Sequence, residues 1–301
     1  MKILITDGMD KSAIATLKET GHEITEQFYA PEELGQALRD FDAVVIRSAT
    51  KIRKAQLDMA KDSRLKLIIR GGVGVDNIDV ADAEAMGIAV RNTPNASSNA
   101  VAELAIGLMF SCARYISIAG HTMRENKWEK KAYGKGFELY GKTLGIIGYG
   151  RIGKRIGDIA QAIGMKVVAY QRHPRPEFEC ETMHFVSLDD LLSGSDIIAL
   201  STPSLGAPII NEENIGKMKQ GVMIVNTSRG GNVDEDALLA ALDSGKVRAA
   251  GLDVWAQEPT KNEALYTHPA VSCTPHIGAS TTEAQKRIGA EIVAIIDSYN
   301  G

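Results

Sequence analysis

The chain contains 301 residues, of which 44% are hydrophobic and 24% charged, a composition typical of a globular protein with room for two domains of roughly 150 residues. Its formal net charge of −4, without a long Lys/Arg run, argues against general nucleic-acid binding. No apolar run approaches the roughly 18 uncharged residues of a membrane span, no signal peptide precedes the first strand-like segment, and the three widely spaced cysteines favour neither a disulfide framework nor a metal site. We therefore expect a cytoplasmic protein without membrane, nucleic-acid or metal partners.

The first part of the chain alternates short apolar runs with amphipathic stretches. The runs suited to buried strands include Ile3–Ile5, Ala43–Ile46 and Leu67–Ile69, and helical spacing recurs between them. Such βαβα patterning predicts a parallel sheet covered by helices.

A glycine-rich stretch, Arg70–Asp79, directly follows the last of these strands. In α/β proteins ligands bind beyond the carboxyl ends of the strands, and the amides of a glycine-rich turn can form a nest for a carboxylate. Two arginines, each at the end of an apolar run, could add positive charge there. The alternative is a glycine turn flanked by surface arginines, and the residue pattern alone leaves both interpretations open. The candidate residues are Arg47, Arg70, Gly72, Val73 and Gly74.

The segment Asn92–Glu103 begins with turn residues and leads into a long helix that runs through Met109. We expect this helix to cross from the first domain to the second. A more polar amphipathic helix is predicted over Ile116–Trp128, followed by a loop over Lys130–Tyr140. This arm carries more apolar surface than it needs for itself, which either a homodimer contact or ordinary packing would explain.

The stretch Lys142–Arg172 has the pattern of a dinucleotide-binding βαβ unit. The apolar run Thr143–Ile147 suits a buried strand, isoleucines then recur at helical spacing, and a second strand is predicted over Met165–Tyr170. Between strand and helix lies a G-x-G-x-x-G motif, formed by Gly148, Gly150 and Gly153. Its first glycine permits the tight turn, the second lets a pyrophosphate approach the backbone, and the third lets helix and strand pack closely.

The residue at the end of the second strand departs from the pattern for NAD. An acidic residue is expected there to bind the ribose hydroxyls, and this chain has Gln171 followed by Arg172. A neutral amide can still bind a hydroxyl, whereas nearby arginines could pair with the 2′-phosphate of NADP. We therefore predict NAD as the cofactor with NADP as the alternative, and Arg172 is equally explained as part of a solvated loop.

Strand and helix patterns continue to alternate from Leu188 to Leu252, and the last helix, Thr282–Tyr299, has an apolar face but no following strand. We expect that helix to dock on the first domain. The predicted fold class is α/β, with two Rossmann-like domains that each contain a doubly wound parallel sheet. The predicted limits are 1–97 with 280–301 for the substrate domain, which is discontinuous in sequence, and 98–279 for the dinucleotide-binding domain.

Three stretches of the second domain end strands with reactive side chains, namely Arg229, Glu258 and His276. An arginine can bind the carboxylate of a 2-oxo acid and polarise its carbonyl group, and a histidine can exchange the hydroxyl proton near neutral pH. A glutamate that is hydrogen-bonded to a histidine favours the protonated ring and fixes its tautomer. Singly, each residue would also suit a structural role.

These motifs resemble those of the D-isomer-specific 2-hydroxyacid dehydrogenases over essentially the whole chain. The matching stretches are Gly148–Gly153, Asn226–Gly230, Asp253–Pro259 and Pro275–Ala279. In that family the arginine, glutamate and histidine of these motifs are catalytic, so the resemblance implies catalytic roles for Arg229, Glu258 and His276. It also implies cofactor contacts at Arg151, Ile152, Thr202, Pro203, Thr227, Asp253 and Gly278, with Asp253 on the nicotinamide side.

The first domain is similar to the members of that family that oxidise 3-phospho-D-glycerate to 3-phosphohydroxypyruvate, the entry step to L-serine. The similarity lies in Val45–Lys51, Arg70–Asp79, Asn92–Asn95 and Trp128–Lys131, and it favours a ligand-binding role for the two arginines. Because the chain ends just after the last helix, we expect a short form without a regulatory domain. The alternatives are a reductase of glyoxylate, hydroxypyruvate or another 2-oxo acid, and, with less support, a non-catalytic NAD-sensing corepressor.

Overall fold

The computed structural model describes residues 1–299, which form two compact units. The first unit comprises Met1–Ser98 together with the segment from Ala279 onward, and the second comprises Asn99–Gly278. The predicted domain limits lie within one residue of these units. That each unit is an independent domain stays a prediction.

The first unit contains one parallel sheet. Its strands are β1 (Lys2–Ile5), β2 (Glu23–Glu26), β3 (Ala43–Ile46), β4 (Leu67–Arg70) and β5 (Ala89–Asn92). Its helices are α1 (Lys11–Glu19), α2 (Pro31–Leu38), α3 (Lys54–Met59), α4 (Val80–Ala85) and, at the end of the chain, α12 (Thr282–Ser298). The strands lie in the order β2-β1-β3-β4-β5 and every pair is parallel.

The second unit contains a larger parallel sheet. Its strands are β6 (Thr143–Ile147), β7 (Lys166–Tyr170), β8 (Met183–Phe185), β9 (Ile197–Leu200), β10 (Val222–Asn226), β11 (Val247–Leu252) and β12 (Val271–Cys273). Its helices are α5 (Ser98–Arg114), α6 (Ile116–Arg124), α7 (Arg151–Ala162), α8 (Leu188–Gly194), α9 (Glu212–Lys217), α10 (Glu235–Asp243) and α11 (Glu263–Tyr266). The order is β12-β11-β10-β9-β6-β7-β8, all parallel.

Both faces of each sheet are buried. Because successive side chains of a strand point to opposite faces, Ile3 of β1 packs into one apolar cluster and Leu4 into another, and Ile146 and Ile147 of β6 divide in the same way. A strand covered on both faces has no polar side, which explains why these strands are continuous apolar runs in the sequence. The two parallel sheets confirm the predicted fold class.

The last helix belongs to the first unit. Ile288 and Ile292 of α12 lie in one apolar cluster with Ile3 and Val45. A methyl group added at Gly289 would lie 2.7 Å from Ala13 Cβ, so α12 approaches α1 closely. The first unit is therefore discontinuous in sequence, as the apolar face of the last helix predicted.

One predicted helix is shorter in the structure. The helix predicted over Ile116–Trp128 is α6, which ends at Arg124, because Asn126 has a left-handed φ of 60° that cannot continue a right-handed helix. Tyr115, with a φ of 58°, separates α6 from α5. Among residues 1–299, no single helix is long and apolar enough to span a membrane, and only α5 and α6 taken together, bent by 67°, would pass on length and composition.

Candidate active site

The glycine motif forms the turn between β6 and α7, and each glycine has a different environment. Gly148 has a φ of +93°, and a Cβ there would lie 2.6 Å from Ser201 O. A Cβ at Gly153 would lie 2.1 Å from Gly148 O, so this glycine lets α7 pack onto the turn. Gly150 caps the N-terminus of α7, and a Cβ there would meet no atom within 4 Å. The first and third glycines are thus required by packing, whereas the second keeps the backbone accessible to a ligand, as predicted for a pyrophosphate.

Polar atoms follow the strands on both sides of β6. Gln171 directly follows β7 and Ser201 directly follows β9, and Gln171 Oε1 and Ser201 Oγ are buried without a hydrogen-bond partner within residues 1–299. A buried polar atom without a partner is destabilising, and a ligand group that hydrogen-bonds to it would remove that cost. Together with the accessible glycine, these atoms fit a dinucleotide. Arg172, the next residue, is exposed.

The other predicted cofactor contacts lie near the same edge of the sheet. Arg151 and Ile152 form the first turn of α7, and Thr227 is buried just after β10. The loop after β9 is held by Asn232, whose side-chain amide donates to Thr202 O at 3.3 Å and Pro203 O at 3.1 Å. Their contact with a cofactor stays a prediction.

A histidine and a glutamate from two different loops are in direct contact. His276 Nδ1 lies 2.6 Å from Glu258 Oε2, and both side chains are 36% exposed. Because a carboxylate can only accept, Nδ1 carries the proton of this hydrogen bond, and Nε2 is the ring nitrogen that can exchange a proton with a substrate. The arrangement is that of an acid–base histidine oriented by a carboxylate.

The pKa of Glu258 is lower than its ordinary value of 4.5. Burial alone would raise this pKa, but the hydrogen bond and positive charge of His276, the backbone N–H of Trp255 and the charge of Arg229 together outweigh burial. The glutamate is therefore ionised at neutral pH. The influence of Arg229 shows that the structure gathers all three predicted catalytic residues into one electrostatic cluster.

The loop that carries His276 is tied to Asp253, which is 1% exposed. Asp253 Oδ1 accepts from Thr274 Oγ1 at 2.6 Å and from Ile277 N at 2.8 Å, and Oδ2 accepts from Gly278 N at 2.9 Å. His276 has a left-handed φ of 54°, and its N–H donates to Asp253 O at 2.8 Å. Asp253 thus shapes the histidine loop, and its predicted contact with the nicotinamide side stays a prediction.

Gly278 has a structural reason to be glycine. A Cβ at this position would lie 3.0 Å from Asp253 Oδ2 and 3.3 Å from a methyl group of Val101. A side chain would therefore push the loop away from the carboxylate that holds it.

Arg229 follows β10 in a loop whose backbone is fixed from within. Asn226, which is fully buried, donates from its side-chain amide to Arg229 O at 2.9 Å, and its Oδ1 accepts from Ser228 N at 3.0 Å. One guanidinium nitrogen of Arg229 donates to Ser228 O at 2.7 Å. The arginine is consequently held by a rigid turn, as a residue that binds a carboxylate should be.

The predicted anion-binding residues of the first unit surround one glycine loop. Methyl groups added at Gly71 and Gly72 would lie 3.5 Å from Arg47 Cγ and 1.4 Å from an Arg70 guanidinium nitrogen, respectively. The predicted nest has one N–H group fewer than expected, because the N–H of Gly72 already donates to Arg70 O at 2.9 Å. The N–H groups of Val73 and Gly74 take no part in the backbone hydrogen bonds of residues 1–299 and are the amides left to bind an anion.

The turn that carries Arg47 is held on two sides. Asp7 accepts from Arg47 N at 2.6 Å and from Thr50 N at 3.0 Å. The side-chain amide of Asn77 donates to Arg47 O at 2.6 Å and to Thr50 O at 2.7 Å. The backbone of Arg47 is therefore fixed by two polar side chains of the first unit.

Two residues that shape the site escaped the sequence interpretation. Asn232 is fully buried and links the loop after β9 to the turn after β10, where it also lies 3.4 Å from Ser228 Oγ. Trp255 is 7% exposed and contacts the loops of Glu258 and His276. The asparagine directly after the pair Gly230-Gly231 was the available signal for Asn232, whereas Trp255 had the appearance of an ordinary core residue.

Comparison with known proteins gives a consistent picture. A family model described as the NAD binding domain of D-isomer specific 2-hydroxyacid dehydrogenases matches residues 106–278. The hydroxypyruvate reductase of Thermotoga maritima is 47% identical, over 97% of this chain and 96% of that protein. The D-3-phosphoglycerate dehydrogenase of Methanocaldococcus jannaschii is 45% identical over 96% of this chain, which spans only 55% of that protein. The crystal structure of a glyoxylate reductase from Paecilomyes thermophila superposes with a TM-score of 0.89 at 32% identity, covering 99% of this chain and 94% of that one.

Proposed function

Because the chain belongs to the D-isomer-specific 2-hydroxyacid dehydrogenase family and is an NAD-binding oxidoreductase, we propose that it oxidises 3-phospho-D-glycerate to 3-phosphohydroxypyruvate in the entry step to L-serine. The observation that carries the proposed chemistry is the 2.6 Å contact between His276 Nδ1 and the ionised Glu258. The positive charge of Arg229 also lowers the pKa of Glu258. This combination supplies an acid–base group and a carboxylate-binding cation.

In the proposed reaction, the chain's own residues move the proton and hold the charge. NAD, when bound, supplies the hydride acceptor for oxidation and, in reduced form, the hydride donor for reduction. His276 Nε2 takes the hydroxyl proton of the 2-hydroxy acid while Glu258 stabilises the resulting imidazolium. The guanidinium of Arg229 binds the substrate carboxylate and stabilises negative charge that develops on the C2 oxygen.

The choice of a phosphorylated substrate rests on the first unit. A phosphate dianion needs cationic partners, and Arg47 and Arg70 approach the same glycine loop. In that loop the N–H groups of Val73 and Gly74 make no backbone hydrogen bond within residues 1–299. The fixed backbone of Arg47 favours a specific contact over a mobile surface charge. The sequence similarity to several D-3-phosphoglycerate dehydrogenases over nearly the whole chain supports the same assignment.

A second candidate is the reduction of hydroxypyruvate, the unphosphorylated analogue. It is favoured by the 47% identity to a hydroxypyruvate reductase that matches this chain over 96% of its own length. The chemistry of the second unit would be identical, and only the role of the two arginines would change.

We also propose that the chain forms a homodimer through the apolar side of α6. Ile116 is 58% exposed and Met123 is 59% exposed, which is unusual for large apolar side chains on one short helix. Charged replacements at these two positions should convert the dimer to a monomer in sedimentation experiments. A wild-type chain that sediments as a monomer would contradict the proposal. The predicted cytoplasmic location stays a prediction.

The substrate proposal is tested by initial rates. Oxidation is measured as kcat/KM for 3-phosphoglycerate with NAD and with NADP. Reduction is measured as kcat/KM with NADH and with NADPH for 3-phosphohydroxypyruvate, hydroxypyruvate and glyoxylate. The proposal expects the highest specificity constants for the phosphorylated pair. A higher value for hydroxypyruvate than for its phosphorylated form would select the second candidate instead.

A further inference from the structure

We propose that Trp255 is a positioning residue that holds the three loops of the acid–base site in mutual register. The proposal rests on the proposed function, because it assigns Trp255 an effect on Arg229, Glu258 and His276. Trp255 itself is buried, with only 7% of its surface exposed, and we assign it no contact with the reacting atoms.

Trp255 touches each of the three loops through a different part of the residue. Its backbone N–H donates to Glu258 Oε1 at 3.2 Å. Its indole N–H donates to Thr274 O at 3.3 Å, two residues before His276. Its carbonyl carbon and oxygen would each lie 1.9 Å from a Cβ at Gly230, the residue after Arg229.

The two hydrogen bonds act on the two members of the acid–base pair separately. Each oxygen of Glu258 has its own donor: Oε1 accepts from Trp255 N and Oε2 faces His276 Nδ1 at 2.6 Å. The backbone bond therefore sets the rotation of the carboxylate, which decides the direction that Oε2 presents to the imidazole. The indole bond holds the chain that leads into the left-handed His276.

The contact with Gly230 explains how the arginine loop joins the same arrangement. Any side chain at this position would overlap the backbone of Trp255, so the turn after β10 and the turn after β11 pack directly against each other. The indole ring also lies in the apolar cluster that includes Leu252 and Val271 from β11 and β12. A tryptophan suits this place because it combines a large apolar body with a single donor that finds its acceptor.

The decisive variant is Trp255→Phe, with Trp128→Phe as a matched control, since Trp128 is 79% exposed and is the only other tryptophan of the chain. Loss of one hydrogen bond predicts a fall in kcat of about two- to tenfold for reduction of a 2-oxo acid, with little change in NADH affinity. The control variant should keep the wild-type kcat. An unchanged kcat in Trp255→Phe would overturn the proposal.

Trp255 could affect kcat by positioning His276 or only by stabilising the fold. Repeating Trp255→Phe in the His276→Ala enzyme distinguishes these two roles. If Trp255 acts through His276, the residual rate of the His276→Ala enzyme should not fall further, whereas an equal loss in both backgrounds refutes positioning. Should Trp255→Phe fold poorly, 3-benzothienylalanine at position 255 replaces the indole N–H by sulfur at nearly constant volume, and the same loss of kcat is expected. If His276→Ala itself has no effect, the proposed function fails before Trp255 is in question.

Discussion

Replacing Glu258 by glutamine tests the central contact of the site, because the change removes the negative charge at nearly constant shape. The carboxylate has two acceptor oxygens, one for Trp255 N and one for His276 Nδ1. An amide has a single acceptor oxygen, so one of these two donors must lose its partner. We expect the imidazolium to be less stable in this variant.

The size of the effect follows from the exposure of the pair. A hydrogen bond to a charged group contributes roughly 1.5–3 kcal/mol and a neutral one roughly 0.5–1.5 kcal/mol. The side chains of Glu258 and His276 are both 36% exposed, so water screens the charge. We therefore take a small value for the free-energy difference between the charged and the neutral hydrogen bond. A difference of about 1 kcal/mol corresponds to roughly fivefold in an equilibrium or rate constant.

The assay is the rate of 2-oxo acid reduction with NADH between pH 5 and pH 10. Reduction needs a proton from the imidazolium of His276, which the negative charge of Glu258 stabilises. In Glu258→Gln the kcat for reduction should therefore fall by about fivefold within this range. In the wild type, the depressed pKa of Glu258 keeps the carboxylate charged throughout this range, and its contribution to stability is lost only as the pH falls below 4.5 through that pKa. An equal kcat in both enzymes would refute the assigned role of Glu258.

His276→Ala should lower kcat by roughly two to four orders of magnitude while NADH binding, followed by fluorescence titration, is retained; near-normal turnover would remove His276 from the mechanism. Gln171→Asp should shift the ratio of kcat/KM values towards NAD, because the carboxylate accepts from ribose hydroxyls and repels a 2′-phosphate. An unchanged ratio would show that Gln171 does not face the adenosine ribose. Arg47→Ala or Arg70→Ala should reduce kcat/KM for 3-phosphohydroxypyruvate about ten- to a hundredfold more than for hydroxypyruvate, since a charge-assisted bond contributes roughly 1.5–3 kcal/mol. Equal losses for both substrates would argue against the phosphorylated substrate.

The sheets of this protein are largely readable from its sequence, because strands buried on both faces leave an unmistakable apolar run. The predicted runs Ala43–Ile46 and Thr143–Ile147 coincide with β3 and β6. The end of α6 differs from the prediction, which extended the helix to the apolar Trp128, whereas the helix ends at Arg124 and is followed by the left-handed Asn126. The spacing of apolar residues predicts which residues are buried more accurately than it predicts where a helix ends.

The candidate site was predictable as a set of residues but not as a set of contacts. Arg229, Glu258 and His276 follow strands and have reactive side chains, which a sequence can show. The backbone donor of Trp255 and the carboxylate of Asp253 act across 3 to 25 positions of the chain, through loops whose conformations depend on the finished sheet. Such contacts produce no periodic pattern in the sequence. The sequence likewise gives no sign that the N–H of Gly72 forms a hydrogen bond within its own turn.

The position of α12 has a consequence for how the protein is made. Ile3 and Val45 are synthesised long before α12, which packs on their face of the sheet and begins only at Thr282. During translation this face therefore has only the cover that Ile14 and Leu17 of α1 supply, and it lacks α12 while nearly the whole second unit is synthesised. At roughly 5–20 residues per second, that interval is on the order of ten to fifty seconds. The nascent chain consequently has an apolar surface that a chaperone such as a ribosome-associated holdase can shield until the last helix emerges.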